Sequence, residues 1–222
     1  RMVQRHPDAT ESEATLRDLK AIAVFCGSNF GGSEVYAEGA RALGTALAKA
    51  GVRQVVALDD IVAVVADNTW AAEQGLRALD VTWSPGPNAA LDQAQLWADA
   101  EKASRGAGVT VRREGDAAAK LGPSAFEAVY ELPFLAHASM ETQNCTVHVH
   151  DGMCEIWVGT QVPGYAQAGA AQALGVAADK VTVHNHVIGG GFGGRLEAAP
   201  IVTATRIAAK VAGPVKVIWS RE

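Results

Sequence analysis

The sequence predicts a mixed α/β (α+β) fold, and three observations carry that prediction. Short continuous apolar runs at 21–26 and 61–66 have the length and composition of buried strands. Between such runs lie alanine- and leucine-rich stretches with helical spacing, bounded by glycine, serine or proline. A third region, 144–150 and 153–159, alternates polar and apolar residues around Asp151-Gly152, the strongest short hairpin signal.

Taken in order, residues 1–17 show no usable period and read as a flexible tail. Residues 21–26 form a strand, and Gly27-Ser28-Asn29-Phe30-Gly31-Gly32 follows as a loop. Ser33 is a good N-cap, and Val35, Leu43 and Leu47 give a helical stripe that stops at Gly51. A strand at 54–58 completes an N-terminal βαβ unit over 18–58. Residues 61–66 form another strand, Asp67-Asn68 caps a helix over 69–79, and 81–83 returns as a strand. Ser84-Pro85-Gly86-Pro87 then breaks the chain. The stretch 85–123 reads as a surface connection interrupted by one short helix at 91–103.

From 124 the pattern is most regular. A two-residue turn at Asp151-Gly152 sets His150 against Met153, Val149 against Cys154, His148 against Glu155, and Cys145 against Val158. One face is then apolar (Cys145, Val147, Val149, Cys154, Ile156, Val158), and the other carries Thr146, His148, His150, Met153, Glu155 and Trp157. This register keeps Cys145 and Cys154 out of direct opposition, so no disulfide is expected between them. Pro163 opens a helix that ends at Gly175. A strand at 180–188, a helix at 195–211 bent at Pro200, and a strand at 215–219 finish the chain.

Composition narrows the function classes. Apolar residues make up 49% and charged residues 19% of 222, which fits a globular chain and not a disordered one. A net charge of −5 excludes a basic nucleic-acid footprint. No run reaches the roughly 18 apolar residues of a membrane span. The polar N-terminal stretch has no signal-peptide core, which points to the cytoplasm, with the periplasm as the alternative. Three cysteines cannot make a disulfide framework or ligate an iron–sulfur cluster alone.

The 23 glycines carry the chemistry. Gly189-Gly190-Gly191-Phe192-Gly193-Gly194 satisfies G-x-G-x-x-G after a strand and before a helix. A dinucleotide site also needs an acidic residue about 20 positions on, at the end of the next strand. Here that strand ends at Ser220-Arg221-Glu222, well beyond that spacing. What survives is the physical content: successive glycine amides can crowd around an anion at a helix N-terminus. A tight packing turn with no ligand is the alternative.

The wider pattern is more specific. Tyr130-Glu131-Leu132-Pro133-Phe134-Leu135-Ala136-His137-Ala138-Ser139-Met140-Glu141, then Asn144-Cys145-Thr146, Trp157-Val158-Gly159-Thr160-Gln161 and the glycine loop occur in one order. Together they closely resemble the molybdenum hydroxylase large subunit family, that of xanthine dehydrogenase and aldehyde oxidase. The isoquinoline 1-oxidoreductase β-subunit type is the nearest branch. Residues 59–84 resemble a hammerhead-like portion of that family, and 124–222 resemble part of its molybdopterin-binding domain.

The resemblance implies that Gly190, Gly191, Phe192 and Gly193 bind a molybdopterin-type molybdenum cofactor through backbone amides. It implies hydroxylation of an aldehyde or N-heterocyclic carbon with oxygen from water. Electrons would leave to an iron–sulfur subunit, and the remaining large-subunit domains would complete the site around a small-molecule substrate. Two departures stand out: Leu135 falls where xanthine oxidase-like members carry a glutamine, and the domain with the general-base glutamate is not in this sequence. No catalytic residue is assigned, and a non-catalytic chain that assembles with a partner is a competing expectation.

Residues 20–51 resemble the opening of LOG-type (lysine decarboxylase-like) phosphoribohydrolases through Ala23-Val24-Phe25-Cys26-Gly27-Ser28, Tyr36-Ala37, Leu43-Gly44 and Leu47-Ala48. That resemblance implies phosphate binding at Gly27, Ser28, Gly31 and Gly32, although the family's P-G-G-x-G-T-x-x-E segment is missing. The chain thus reads as a junction of two pieces near Gly51. His148/His150 and His184/His186 are H-x-H pairs, each on one strand face, and such pairs can bind zinc or copper. On a polar face opposite Glu155 they are expected to be ordinary solvated histidines, with no protein-ligated metal. His137 and Glu141 are close enough for an acid–base pair, but structural roles beside the pocket are expected instead.

Overall fold

In the computed structural model, residues 21–28, 51–81, 88–133 and 135–219 are described, the first of these by backbone alone. The helix expected after Ser33, the tail at 1–17, and Gly31 and Gly32 lie outside them. The chain divides into two units, Arg1–Pro85 with Ala136–Glu222, and Gly86–Leu135.

The larger unit is built on a seven-stranded mixed sheet. Its strands are β1 (Ala21–Ser28), β2 (Val52–Ala57), β3 (Ile61–Ala66), β4 (Asn144–His150), β5 (Met153–Val158), β6 (Val181–Asn185) and β7 (Val215–Ile218). Their spatial order is β2-β3-β1-β7-β4-β5-β6. β1–β7 and β5–β6 pair parallel, and the other neighbours pair antiparallel. Strands from both ends of the sequence therefore share one sheet.

The apolar composition of β3 explains its place. All six residues of Ile-Val-Ala-Val-Val-Ala are buried, as a strand covered on both faces requires. It sits between β1 and β2, antiparallel to both. β1 and β2 thus run in the same direction, as a βαβ unit requires, but β3 separates them. The tight turn from β2, where Leu58 N–H donates to Ile61 O at 2.8 Å, sends β3 back into that slot.

Among the described residues of this unit, three helices flank the strands: α1 (Thr69–Arg77), α4 (Pro163–Leu174) and α5 (Ala199–Ala208). Asn68 caps α1, its side chain accepting the Ala71 N–H at 2.9 Å. α1 covers one face of β2 and β3 through Ala71 and Ala72 against Val52, Val64 and Ala66. α4 and α5 cover the apolar hairpin face, with Ala166, Ala170, Ile201 and Ile207 against Val147 and Ile156. Gly169 lets the two helices approach closely, since a Cβ there would lie 2.9 Å from a Val202 methyl. Cys145 and Cys154 are free and buried in this core, and burial pushes the Cys154 thiol up to about 11.

The smaller unit carries α2 (Gln93–Ser104) and the short α3 (Ala117–Lys120). Asp92 caps α2 by accepting the Gln95 N–H at 2.8 Å. No residue of α2 is buried. Among the described residues, no helix is long and apolar enough to cross a membrane.

Four expectations need correction. Gly27 and Ser28 do not open a loop: β1 runs through them, with an irregularity in the pairing to β3 between Cys26 and Ser28. Residue Val81 is not in a strand, and Thr82 and Trp83 lie outside the described residues. The strand expected over 180–188 starts after a 3₁₀ turn (Ala178–Lys180) and ends at Asn185, where its partner β5 ends at Val158. The helix expected from 195 begins at Ala199, with Pro200 in its first turn and not at a bend. A helix begun at Arg195 would drive the Pro200 ring into the residue 196 carbonyl and lose a hydrogen bond.

Candidate cofactor-binding loop and its anchor

The glycine loop follows β6 but does not open an α-helix. It runs into a 3₁₀ turn, Gly194–Leu196, closed by Gly194 N–H to Gly191 O at 2.8 Å and Leu196 N–H to Gly193 O at 3.0 Å. The expected anion site at a helix N-terminus is therefore replaced by a loop of free amides. The N–H groups of Gly190, Gly191, Phe192 and Gly193 donate to no described residue. Gly190 (φ 104°), Phe192 (φ 52°) and Gly193 (φ 98°) all lie in the left-handed region. For Phe192, which is 77% exposed, this conformation is a genuine outlier.

One glycine amide is committed. Gly189 N–H donates to Glu141 Oε2 at 2.6 Å. Glu141 Oε1 accepts from Asn144 Nδ2 at 3.0 Å, and Arg195 Nη2 lies 3.2 Å from Oε2. The Gly189 hydrogen bond first, then Asn144 and the Arg195 and Lys216 charges, hold this carboxyl below its usual range, against the upward push of partial burial. A carboxylate engaged on both oxygens is an anchor, not a free general base. Among the described residues no hydrogen bond joins it to His137, whose ring instead packs where a Cβ at Gly194 would stand, 3.0 Å from its Cγ.

Arg195 is the centre of the arrangement. It is 2% exposed, and its guanidinium donates to Gly159 O at 3.3 Å and Glu141 O at 3.0 Å. Its own carbonyl accepts from Thr160 Oγ1 and from Gln161 N–H, both at 3.1 Å. These bonds tie the segment after β5, the segment before β4 and the glycine loop into one body. At two positions the loop backbone is packed too closely for a side chain: a Cβ at Gly189 would lie 2.6 Å from Glu141 Cβ, and one at Gly191 2.7 Å from Gln161 Oε1.

A cavity of about 280 Å³ opens beside the anchor, lined by Glu141, Asn144, Thr146, Trp157, His186 and Lys216 among others. None of Gly190 to Gly193 lines it. Glu141 is the residue shared between cavity and loop. Leu135 is exposed. Sequence reading did not single out Arg195 or Gln161, although Gln161 ends one of the motif segments.

On the same sheet face, His148, His150 and Glu155 each offer a ligand atom within 4.8 Å of the others. Burial and the neighbouring His150 hold His148 below the usual histidine value, against the pull of Glu155 and Asp151.

Residues 101–222 match the family model of the molybdopterin cofactor-binding domain. The chain is 35% identical over 187 residues to isoquinoline 1-oxidoreductase subunit beta of Brevundimonas diminuta, covering 78% of this chain and 24% of that protein. It is 31% identical over 170 residues to xanthine dehydrogenase of Emericella nidulans, covering 72% of this chain and 12% of that one. The chain thus spans a quarter or less of these relatives' length.

Among solved structures, quinoline 2-oxidoreductase from Pseudomonas putida 86 aligns with a TM-score of 0.52 at 16% identity, over 97% of this chain and 34% of that one. Aldehyde oxidoreductase from Desulfovibrio gigas aligns with a TM-score of 0.56 at 14% identity, over 90% and 26%. At these identities the likeness shows the fold. Nothing in these matches supports the phosphoribohydrolase resemblance of residues 20–51. The family match and the fold agree, and the chain belongs to the molybdenum hydroxylase family through its molybdopterin cofactor-binding domain.

Proposed function

We propose that this chain contributes cofactor-binding surface to a molybdenum hydroxylase, with Gly190, Gly191, Phe192 and Gly193 holding the molybdopterin-type molybdenum cofactor through their backbone amides. The observation that carries this reading is the run of four successive amides with no described acceptor, kept open by three left-handed φ angles. Such a run is an anion-binding concavity, and strained backbone of this kind gathers at ligand clamps. The group fits the donors: the cofactor is rich in anionic and acceptor oxygens, and the amides have no acceptor among the described residues.

When bound, the cofactor supplies the redox chemistry that hydroxylates an aldehyde or an N-heterocyclic carbon with oxygen from water. The chain's own residues bind and orient. Arg195 and Glu141 hold the loop's first amide, so the four that follow are pre-organised and lose little entropy on binding. Gln161 stands beside Gly191, and no described side chain is placed to act as a base. An iron–sulfur subunit and further large-subunit domains are the partners this role requires.

The test is cofactor retention. The chain is purified from cells supplied with molybdate, and its pterin is measured by fluorescence after oxidation and its molybdenum by elemental analysis. We expect both at equal stoichiometry, and a loss of about tenfold in Gly193→Ala, whose side chain the φ of 98° disfavours. Retention unchanged in folded Gly193→Ala and Gly190→Ala, or no pterin in the wild type, overturns the assignment.

A further inference from the structure

The polar face of β4–β6 gathers a second group of side chains that the loop does not use. His150 Nε2 lies 3.4 Å from Glu155 Oε2, and His184 Nε2 lies 3.2 Å from Glu155 Oε1. His148 stands directly across the hairpin from Glu155, and its ring centroid is 4.3 Å from that of His150. The parallel pairing of β5 with β6 brings His184 opposite Trp157, one step along the same face from Glu155. The Trp157 ring stacks on His184 at 5.0 Å and fixes its plane.

Proton accounting makes this group unusual. His150 Nδ1 lies 3.3 Å from Asp151 Oδ2. A neutral imidazole has one N–H, and directing it to Asp151 leaves Nε2 as a bare lone pair facing a carboxylate oxygen. His150 Nε2 and His148 Nδ1 are buried atoms with no hydrogen-bond partner among the described residues. Buried lone pairs beside an anion are costly unless a cation stands between them. Protonating both adjacent imidazoles would set like charges side by side, whereas one divalent cation satisfies the whole set.

We propose that His148, His150 and Glu155, with His184 as a fourth donor, bind a divalent first-row transition metal, zinc foremost, across β4, β5 and β6. Imidazole nitrogen with carboxylate oxygen suits zinc and lacks the all-oxygen shell of calcium or magnesium. In a tetrahedral site with bonds of ~2.0–2.1 Å the ligand atoms sit roughly 3.3 Å apart; the 3.4 Å between His150 Nε2 and Glu155 Oε2 is near that value, while His184 approaches the other carboxylate oxygen. The ligand atoms of His148, His150 and Glu155 all lie within 4.8 Å of one another, a gap that small side-chain rotations would close on metal binding. Asp151 acts through His150 as a positioning residue, completing a carboxylate–histidine–metal relay. Side-chain exposures of 34% for His150, 24% for Glu155 and 29% for His184 leave an entry path. The site staples the hairpin to β6 and is independent of the cofactor reading.

The experiment strips the chain with chelator and titrates it with zinc alone, by calorimetry and against a chromophoric chelator, with cobalt(II) as a spectroscopic probe. The expected result is one equivalent of zinc, a raised Tm, and cobalt d–d bands of low-coordinate nitrogen and oxygen ligation. Glu155→Gln and the double variant His148→Gln/His150→Gln, checked for fold by circular dichroism, are expected to weaken binding by tenfold or more. Asp151→Asn is expected to weaken it about tenfold at unchanged stoichiometry. No uptake at about 100 μM zinc overturns the proposal, as does uptake unchanged in the folded double variant. If the variants do not fold, wild-type cobalt spectra without those bands overturn it equally.

Discussion

Arg195 Nη2 lies 3.2 Å from Glu141 Oε2, the same oxygen that accepts the Gly189 N–H at 2.6 Å. A buried cation thus holds the anion that holds the start of the glycine loop. Arg195→Met keeps the stem and removes every donor, leaving the Gly159 carbonyl without a donor among the described residues and the Glu141 carbonyl with Ser139 Oγ alone. Breaking one side of such a buried arrangement is expected to cost about 3 kcal/mol, read as a lower urea midpoint at unchanged m-value.

The Glu141 anchor makes stability fall on the acid side. Its carboxyl is held below the ordinary value of 4.5, first by the Gly189 hydrogen bond. The unfolded chain therefore takes up the proton before the folded chain does. The contribution is fully present above pH 4.5 and is lost as pH falls through the lower folded value. Urea midpoints measured from pH 6 to 3 should fall less steeply in Glu141→Gln than in the wild type. Parallel curves would show that the anchor does not titrate.

Gly75 lies in α1 where helix propensity favours alanine by about 1 kcal/mol. The packing decides otherwise. A Cβ there would stand 2.7 Å from Val52 Cγ2 and 2.8 Å from Val64 Cγ1, both methyls of stiff β-branched side chains in the core. Gly75→Ala is expected to destabilise by about 1–2 kcal/mol net, measured by thermal or urea unfolding. A stabilised variant would mean that β2 and α1 can separate without penalty.

Legibility followed the range of the interactions. The hairpin register came out residue for residue, Cys145 opposite Val158 through His150 opposite Met153, because Asp151-Gly152 and the alternation are both local. The six-residue apolar run of β3 was legible as buried on both faces, but its place between β1 and β2 was not, since pairing partners leave no local mark. Pro200 was read as a bend when it marks the helix start, because only the observed 3₁₀ turn before it shows where the helix begins. The glycine loop was found by its spacing, yet its anchor Arg195 was passed over as one more charged residue.

By itself the sequence determined the strand and helix inventory over most of the described residues, the apolar and polar faces of the hairpin, and the ordered motifs that mark the family. Turn chemistry, side-chain period and motif order act over a few residues, so they survive in one dimension. The tertiary structure decided which strand separates β1 from β2, and that the glycine amides stay free while Gly189 is taken by Glu141. It also decided that His184 meets Glu155. Each of these depends on contacts between residues far apart in the chain, and those contacts exist only once the sheet has closed around its core.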